Sequence, residues 1–127
     1  MRRFAAVAAL ALLAWGCDSG PKGSGEYVGS IQTPGPVLGG AVLEVVGKGI
    51  EGFSGSGGSR VFWAARPDLQ DGYRVIVIHA SPAGEIQFRV ALRDLAEGRP
   101  RASIVNLVGV DNLTLPATPE YRVRFRR

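Results

Sequence analysis

Residues 73–92 read YRVIVIHASPAGEIQFRVAL, two apolar runs separated by Ser81-Pro82-Ala83-Gly84. Tyr73 to Ala80 is the most continuous apolar segment after the N-terminal leader, which predicts a central strand covered on both sides. In the second run Ile86, Phe88, Val90 and Leu92 face inward, while Gln87, Arg89 and Arg93 face water, the period-two pattern of a half-buried strand. Proline presets the second position of a type I or II turn and glycine suits its exit. Tyr73 to Leu92 is therefore expected to form an antiparallel hairpin.

The same alternation extends outward in both directions. Glu26 to Gln32 places Tyr27 and Ile31 on one face, and Pro34-Gly35-Pro36 breaks the chain behind it. Gly40 to Val46 alternates Ala41, Leu43 and Val45 with Glu44. Arg60 to Ala65 sets Phe62 on one face and Val61 with Trp63 on the other. Arg93 to Gly98 has room for one helical turn before Arg99-Pro100. Ala102 to Val110 is a further strand, Asn112 to Glu120 a loop, and Tyr121 to Arg126 a closing strand with Tyr121, Val123 and Phe125 inward. Its Arg122, Arg124 and Arg126 point outward. Charges on a terminal strand discourage pairing with another chain, and the same row could meet an anionic lipid or glycan.

Seven strands without intervening helices predict an all-β, antiparallel β-sandwich. The chain holds 18 glycines and 8 prolines, which interrupt helices and favour turns between short strands. Helix is expected to be scarce. About 110 residues follow the leader, enough for one domain and one core. The net charge is +4, but Arg2 and Arg3 belong to the leader, so the remainder carries 13 basic against 11 acidic side chains. That near-neutral balance gives nucleic-acid binding little electrostatic support.

The leader itself, Met1 to Gly16, has two arginines followed by an apolar run from Phe4 to Trp15, the layout of a secretory signal. As a helix, Phe4 to Gly16 reaches roughly 20 Å at 1.5 Å per residue, short of the about 30 Å of a bilayer core. The expected organisation is a signal peptide at 1–16, a lipidated cysteine and flexible tether at 17–25, and a β-sandwich at 26–127. The tether, Asp18 to Gly25, has too little apolar surface to fold and spans about 16 Å root-mean-square.

Leu13-Ala14-Trp15-Gly16-Cys17 resembles the lipobox of bacterial lipoproteins. Gly16 and Cys17 fit that pattern, while Ala14 stands where leucine is usual and Trp15 where a small residue is preferred. The resemblance implies cleavage between Gly16 and Cys17 and lipidation of Cys17. An ordinary signal peptidase, reading Ala14 and Gly16, would cut the same bond. Cys17 is the only cysteine, so in an oxidising compartment it has no partner within its own chain. A thioether to diacylglycerol occupies it; an incidental thiol behind a plain signal peptide is the alternative. Asp18 resembles the inner-membrane retention signal of enteric bacteria, and the leaflet is left open.

Gly40-Ala41-Val42-Leu43-Glu44-Val45, with the strand count, resembles the cohesin-like and immunoglobulin-like sandwiches, across Gly40 to Arg127. That resemblance implies a binding or scaffolding role and brings no site residues with it.

Four groups invite a chemical reading. Gly47-Lys48-Gly49-Ile50-Glu51-Gly52 satisfies GxGxxG after a strand, but Ser54-Gly55-Ser56-Gly57-Gly58 cannot sustain the helix that a dinucleotide site requires. A mobile loop between strands is expected there. His79, the only histidine, shares a face with Ser81 and lies near Asp71 in sequence, the ingredients of a hydrolase without its geometry. Asp68, Asp71, Asp111 and Asn112 offer oxygens for calcium if two loops meet, and turn chemistry explains the same residues. With one histidine and a committed cysteine, ligands for a transition metal are lacking, and no cofactor or metal is expected. Asn112-Leu113-Thr114 is formally a glycosylation sequon.

The function expected from these features is a lipid-anchored envelope protein, membrane-held through Cys17 and facing the periplasm or exterior. Its non-enzymatic sandwich would bind a protein or glycan partner. An envelope hydrolase using His79 is the alternative. Phe53 and Trp63, beside the glycine loop, are the candidate binding patch, with plain core packing the other reading of Trp63.

Overall fold

Alternating inward side chains build two antiparallel sheets facing each other across one core. The computed structural model describes residues 22–32, 38–83 and 85–127, without the side chains of 80–83. The strands are β1 (Gly25–Gln32), β2 (Leu38–Val46), β3 (Ile50–Ser56), β4 (Arg60–Ala65), β5 (Gly72–Ala83), β6 (Glu85–Leu92), β7 (Arg101–Gly109), β8 (Thr114–Leu115) and β9 (Arg122–Arg126). One sheet runs β3-β6-β1-β9 and the other β4-β5-β2-β7-β8. The all-β sandwich is thus as expected, with nine described strands rather than seven.

The expected hairpin over 73–92 is not formed. β5 pairs with β2 and β4 in the five-stranded sheet, whereas β6 pairs with β1 and β3 in the four-stranded one. Both edges of each strand are already occupied, so the chain between them crosses from one sheet to the other. The register of β5 on β2 slips between Leu38 and Gly40, where the crossing begins. Val75 and Val77 of β5 and Ile86, Phe88, Val90 and Leu92 of β6 are all buried in the common core. Their alternation follows from facing the same interior, which hairpin neighbours and opposed sheets share.

The segment expected as a mobile loop contains β3. Gly47, Lys48 and Gly49 make the turn out of β2, and Ile50 to Ser56 then pairs along β6 with Phe53 buried. Its turn into β4 is tied by Ser59. The Ser59 hydroxyl accepts from the Ser56 amide at 3.0 Å and lies within bonding reach of the carbonyls of Ser56, at 2.9 Å, and of Gln87. Gly55 is required by this closure, since a Cβ there would sit 2.1 Å from the Ser59 carbonyl oxygen. Glycine-rich sequence here serves a tight corner on an edge strand.

Smaller elements fall near expectation. Leu95–Glu97 makes a single 3-10 turn, capped by the Asp94 carboxylate accepting from the Ala96 amide at 2.9 Å. The expected loop 112–120 includes the two-residue β8. The Pro34-Gly35-Pro36 break, and the leader, Cys17 and Asp18, lie outside the described residues. Among the described residues no helix is long and apolar enough to cross a membrane.

Two flanks close the core differently. On the β3/β4 side, Phe53, Trp63 and Tyr73 form an aromatic triangle with ring centroids 5.5, 5.5 and 5.8 Å apart, a spacing at which tilted rings attract. On the β9 side, β8 pairs only with Leu107 and Val108. Among the described residues Arg101 to Asn106 of β7 therefore have no strand on their outer edge, and the sandwich is open there between them and β9.

Candidate functional site

β5 was expected to be covered on both faces. Its inner face, Val75 and Val77, is buried, but Ile76 and Ile78 on its outer face are 38% and 44% exposed. β5 is indeed flanked by strands on both edges, but no layer among the described residues lies over its outer face. Register places Phe62 of β4 and Val42 of β2 on either side of Ile76, and Gly40 beside Ile78. Phe62 is 57% exposed. The result is an apolar row running across three adjacent strands.

Beside this row the sheet is hollowed into a groove of about 360 Å³, with Gly40 in its floor and Val42, Ile76, Ile78 and Val108 in its walls. Glycine makes the hollow, because Gly40 carries no side chain where its neighbours carry branched ones. A β-bulge between Val42 and Leu43 leaves Val105 of β7 as an extra residue, itself exposed, and bulges re-aim side chains at binding surfaces. Scattered exposed apolar side chains are ordinary on a folded surface, whereas here they are contiguous across neighbouring strands.

The patch named from sequence is placed elsewhere. Phe53 is buried, and Trp63, 43% exposed, leans on Phe53 and Tyr73 at the β3/β4 flank. Phe62, one residue before Trp63, points to the opposite side of the same strand. Sequence alternation identified these two faces, but only the sheet order shows which of them is left open.

His79 lies at the rim of the groove, its Nε2 3.0 Å from the Gly57 carbonyl oxygen. The polar residue opposite is Asn112, and the groove lining carries no carboxylate. Asp71 precedes the first residue of β5 while His79 lies near its far end, about 26 Å away along an extended strand. The side chain of Ser81 lies outside the described residues. The trio that suggested a hydrolase is therefore not gathered by the described strands.

The two acidic loops also lie apart. Asp68 and Asp71 follow β4 at the Val46 end of β2, and Asp111 and Asn112 turn from β7 to β8 at its Leu38 end. Among the described residues no group of three histidine, cysteine, aspartate or glutamate side chains could hold a metal ion. Turn chemistry accounts for them instead: the Asp111 carboxylate accepts from the Leu113 amide at 3.1 Å, and Asp71 and Asn112 adopt left-handed backbone. Gly47–Gly52 passes from turn to strand, so no helix N-terminus receives a phosphate there.

Asp68 belongs to a charge cluster at the tether end. Arg66 bonds Glu44 and Asp68, and Arg74 lies 3.8 Å from Glu44. The Arg66 hydrogen bond holds the Asp68 carboxyl below its ordinary pKa. A lowered folded-state pKa contributes stability above the unfolded value of about 3.9, and that contribution is lost as pH falls through the folded value. Asp68→Asn is therefore expected to melt with the native protein at the acid end and slightly below it at pH 7, so that its acid limb is flatter by that small difference, small because the pair is exposed. Melting both proteins from pH 2 to 7 checks this; identical acid limbs would assign the loss to other carboxylates.

No protein-family model, characterised protein or solved structure matches this chain.

Proposed function

We propose that this chain is a lipid-anchored protein of the bacterial envelope whose sandwich binds a partner protein and catalyses no reaction. The leader and Cys17 support the anchor. The observation that carries the binding reading is the apolar row Phe62, Ile76 and Ile78 with its adjoining groove. Such a surface is paid for only by an occupant that removes it from water, at about 25 cal/mol per Å². Its aliphatic lining suits a protein surface better than a sugar, whose hydroxyls need several hydrogen-bond partners. A binding role agrees with the cohesin-like and immunoglobulin-like resemblance at Gly40 to Val45.

The tether enters at Gly23 to Gly25, beside the 3-10 turn, where the Leu95 amide donates to the Gly23 carbonyl at 2.8 Å. The groove is at the other end of β2 and β5, so on an anchored domain it lies at the end farther from the tether.

A photo-crosslinking residue at Ile78 tests this in the native envelope, with Gln87 on the outer face of the other sheet as control. One recurring protein adduct at Ile78, absent at Gln87 and abolished by Phe62→Asp in a protein of unchanged melting temperature, is the expected result. Equal labelling at both positions, or none at Ile78, would contradict the reading.

A further inference from the structure

A second surface, the open flank between β7 and β9, carries a different chemistry. Because the pairing of β8 along β7 ends at Leu107, no strand among the described residues covers the outer edge of Arg101 to Asn106, and a cleft of about 510 Å³ opens between it and β9. Its floor is apolar: Pro100, Ala102, Val123 and Phe125. Arg99, Arg101 and Arg124 stand around it, all exposed. The lining contains no carboxylate, and none of the three forms an ion pair among the described residues. Arg99 is also positioned, its guanidinium 5.9 Å from the centroid of the Tyr27 ring. Carboxylates line the neighbouring hollows instead: Glu97 and Asp71 share one with Arg99 and Arg101, and Glu44 shares another with Arg101 and Ala102.

We infer that this cleft binds the phosphate headgroup of an anionic phospholipid. Guanidinium groups match phosphate oxygens in charge and in hydrogen-bond geometry, and the apolar floor accepts the glycerol and first methylenes that follow the phosphate. A free phosphate would use only the rim. Position favours the lipid as well. Tyr27, on which Arg99 rests, is two residues into β1 from Gly25, where the tether joins. This orientation toward the bilayer rests on the anchored reading, but the cleft's charge and lining do not. Docking through it would hold the domain against the membrane.

The full chain mixed with excess lipid nanodiscs tests the proposal, and its recovery with discs of phosphatidylcholine alone reports the Cys17 anchor separately. Amide exchange is followed at 101–106 and 122–126, in phosphatidylcholine alone and with phosphatidylglycerol added. Exchange there is expected to slow with phosphatidylglycerol by roughly fivefold per arginine engaged. Arg99→Glu with Arg101→Glu should remove the protection, and Arg89→Glu, on the outer face of the four-stranded sheet, should keep it. Three outcomes would overturn the inference. The protection is absent, or it is lost equally in Arg89→Glu, which means diffuse attraction to the surface. Alternatively, glycerol phosphate or an acidic peptide reproduces it in phosphatidylcholine discs, which assigns the cleft to a soluble phosphate or to a protein.

Discussion

Replacing Phe88 by alanine is expected to lower the unfolding free energy by about 3–5 kcal/mol, the cost of deleting a buried aromatic ring and leaving a cavity. Phe88 is fully buried at the centre of β6 and meets Phe125 of β9 edge-on, with centroids 5.9 Å apart and planes at 83°. The ring fills space that Gly29 leaves between them, since a Cβ on Gly29 would lie 2.5 Å from Phe88 Cζ and 2.9 Å from Phe125 Cε1. Three strands of the four-stranded sheet, β6, β1 and β9, are thus joined through one side chain. Domains of this size have about 5–15 kcal/mol in all, so the variant should lie near the edge of folding at 37 °C. Urea melts with an unchanged slope would report it directly. A loss below about 1 kcal/mol would mean that the two sheets do not close on this pair.

The second large effect is one of location. Cys17→Ser is expected to move the protein from the membrane to the soluble fraction, because the run Phe4 to Trp15 is too short to span a bilayer as a resident helix. Each buried methylene of an acyl chain contributes about 0.8 kcal/mol, so a single chain holds marginally and two hold stably. Losing the thioether therefore removes most of the attachment. The arginine-lined cleft between β7 and β9 should leave a weaker association that high salt reverses. Retention of Cys17→Ser in washed membranes at high salt would count against the lipid anchor.

Much of the core could be read before any strand was placed. Tyr27 and Ile31, Ala41, Leu43 and Val45, and Ile86, Phe88, Val90 and Leu92 are inward in the alternation and buried in the fold. Period-two patterning records which face a residue takes, and that is local information. Which strand lies beside which is not local, so β5 and β6 could pass for a hairpin although they sit in opposite sheets. β3 escaped notice because Gly52, Ser54, Gly55 and Ser56 carry no alternation; the backbone of β6 holds them extended. Thr114–Leu115 is too short to signal anything.

The apolar face was misjudged for a related reason. A strand apolar on both sides, such as Val75 to Ile78, usually lies under a second layer. The described residues hold no helix beyond the single turn Leu95–Glu97, and nothing among them supplies that layer for the outer face of a sandwich. The near absence of helix was itself legible in the composition, and it was the signal that Ile76 and Ile78 would be left open. The groove needed more, since Gly40 becomes a hollow only once β2, β5 and β7 are side by side.

The lipid anchor is tested most directly by the intact mass of the protein extracted from membranes. The expected result is a mature chain that begins at Cys17 and carries added diacylglyceryl and acyl mass. An unmodified chain, or one still beginning at Met1, would contradict the anchored reading.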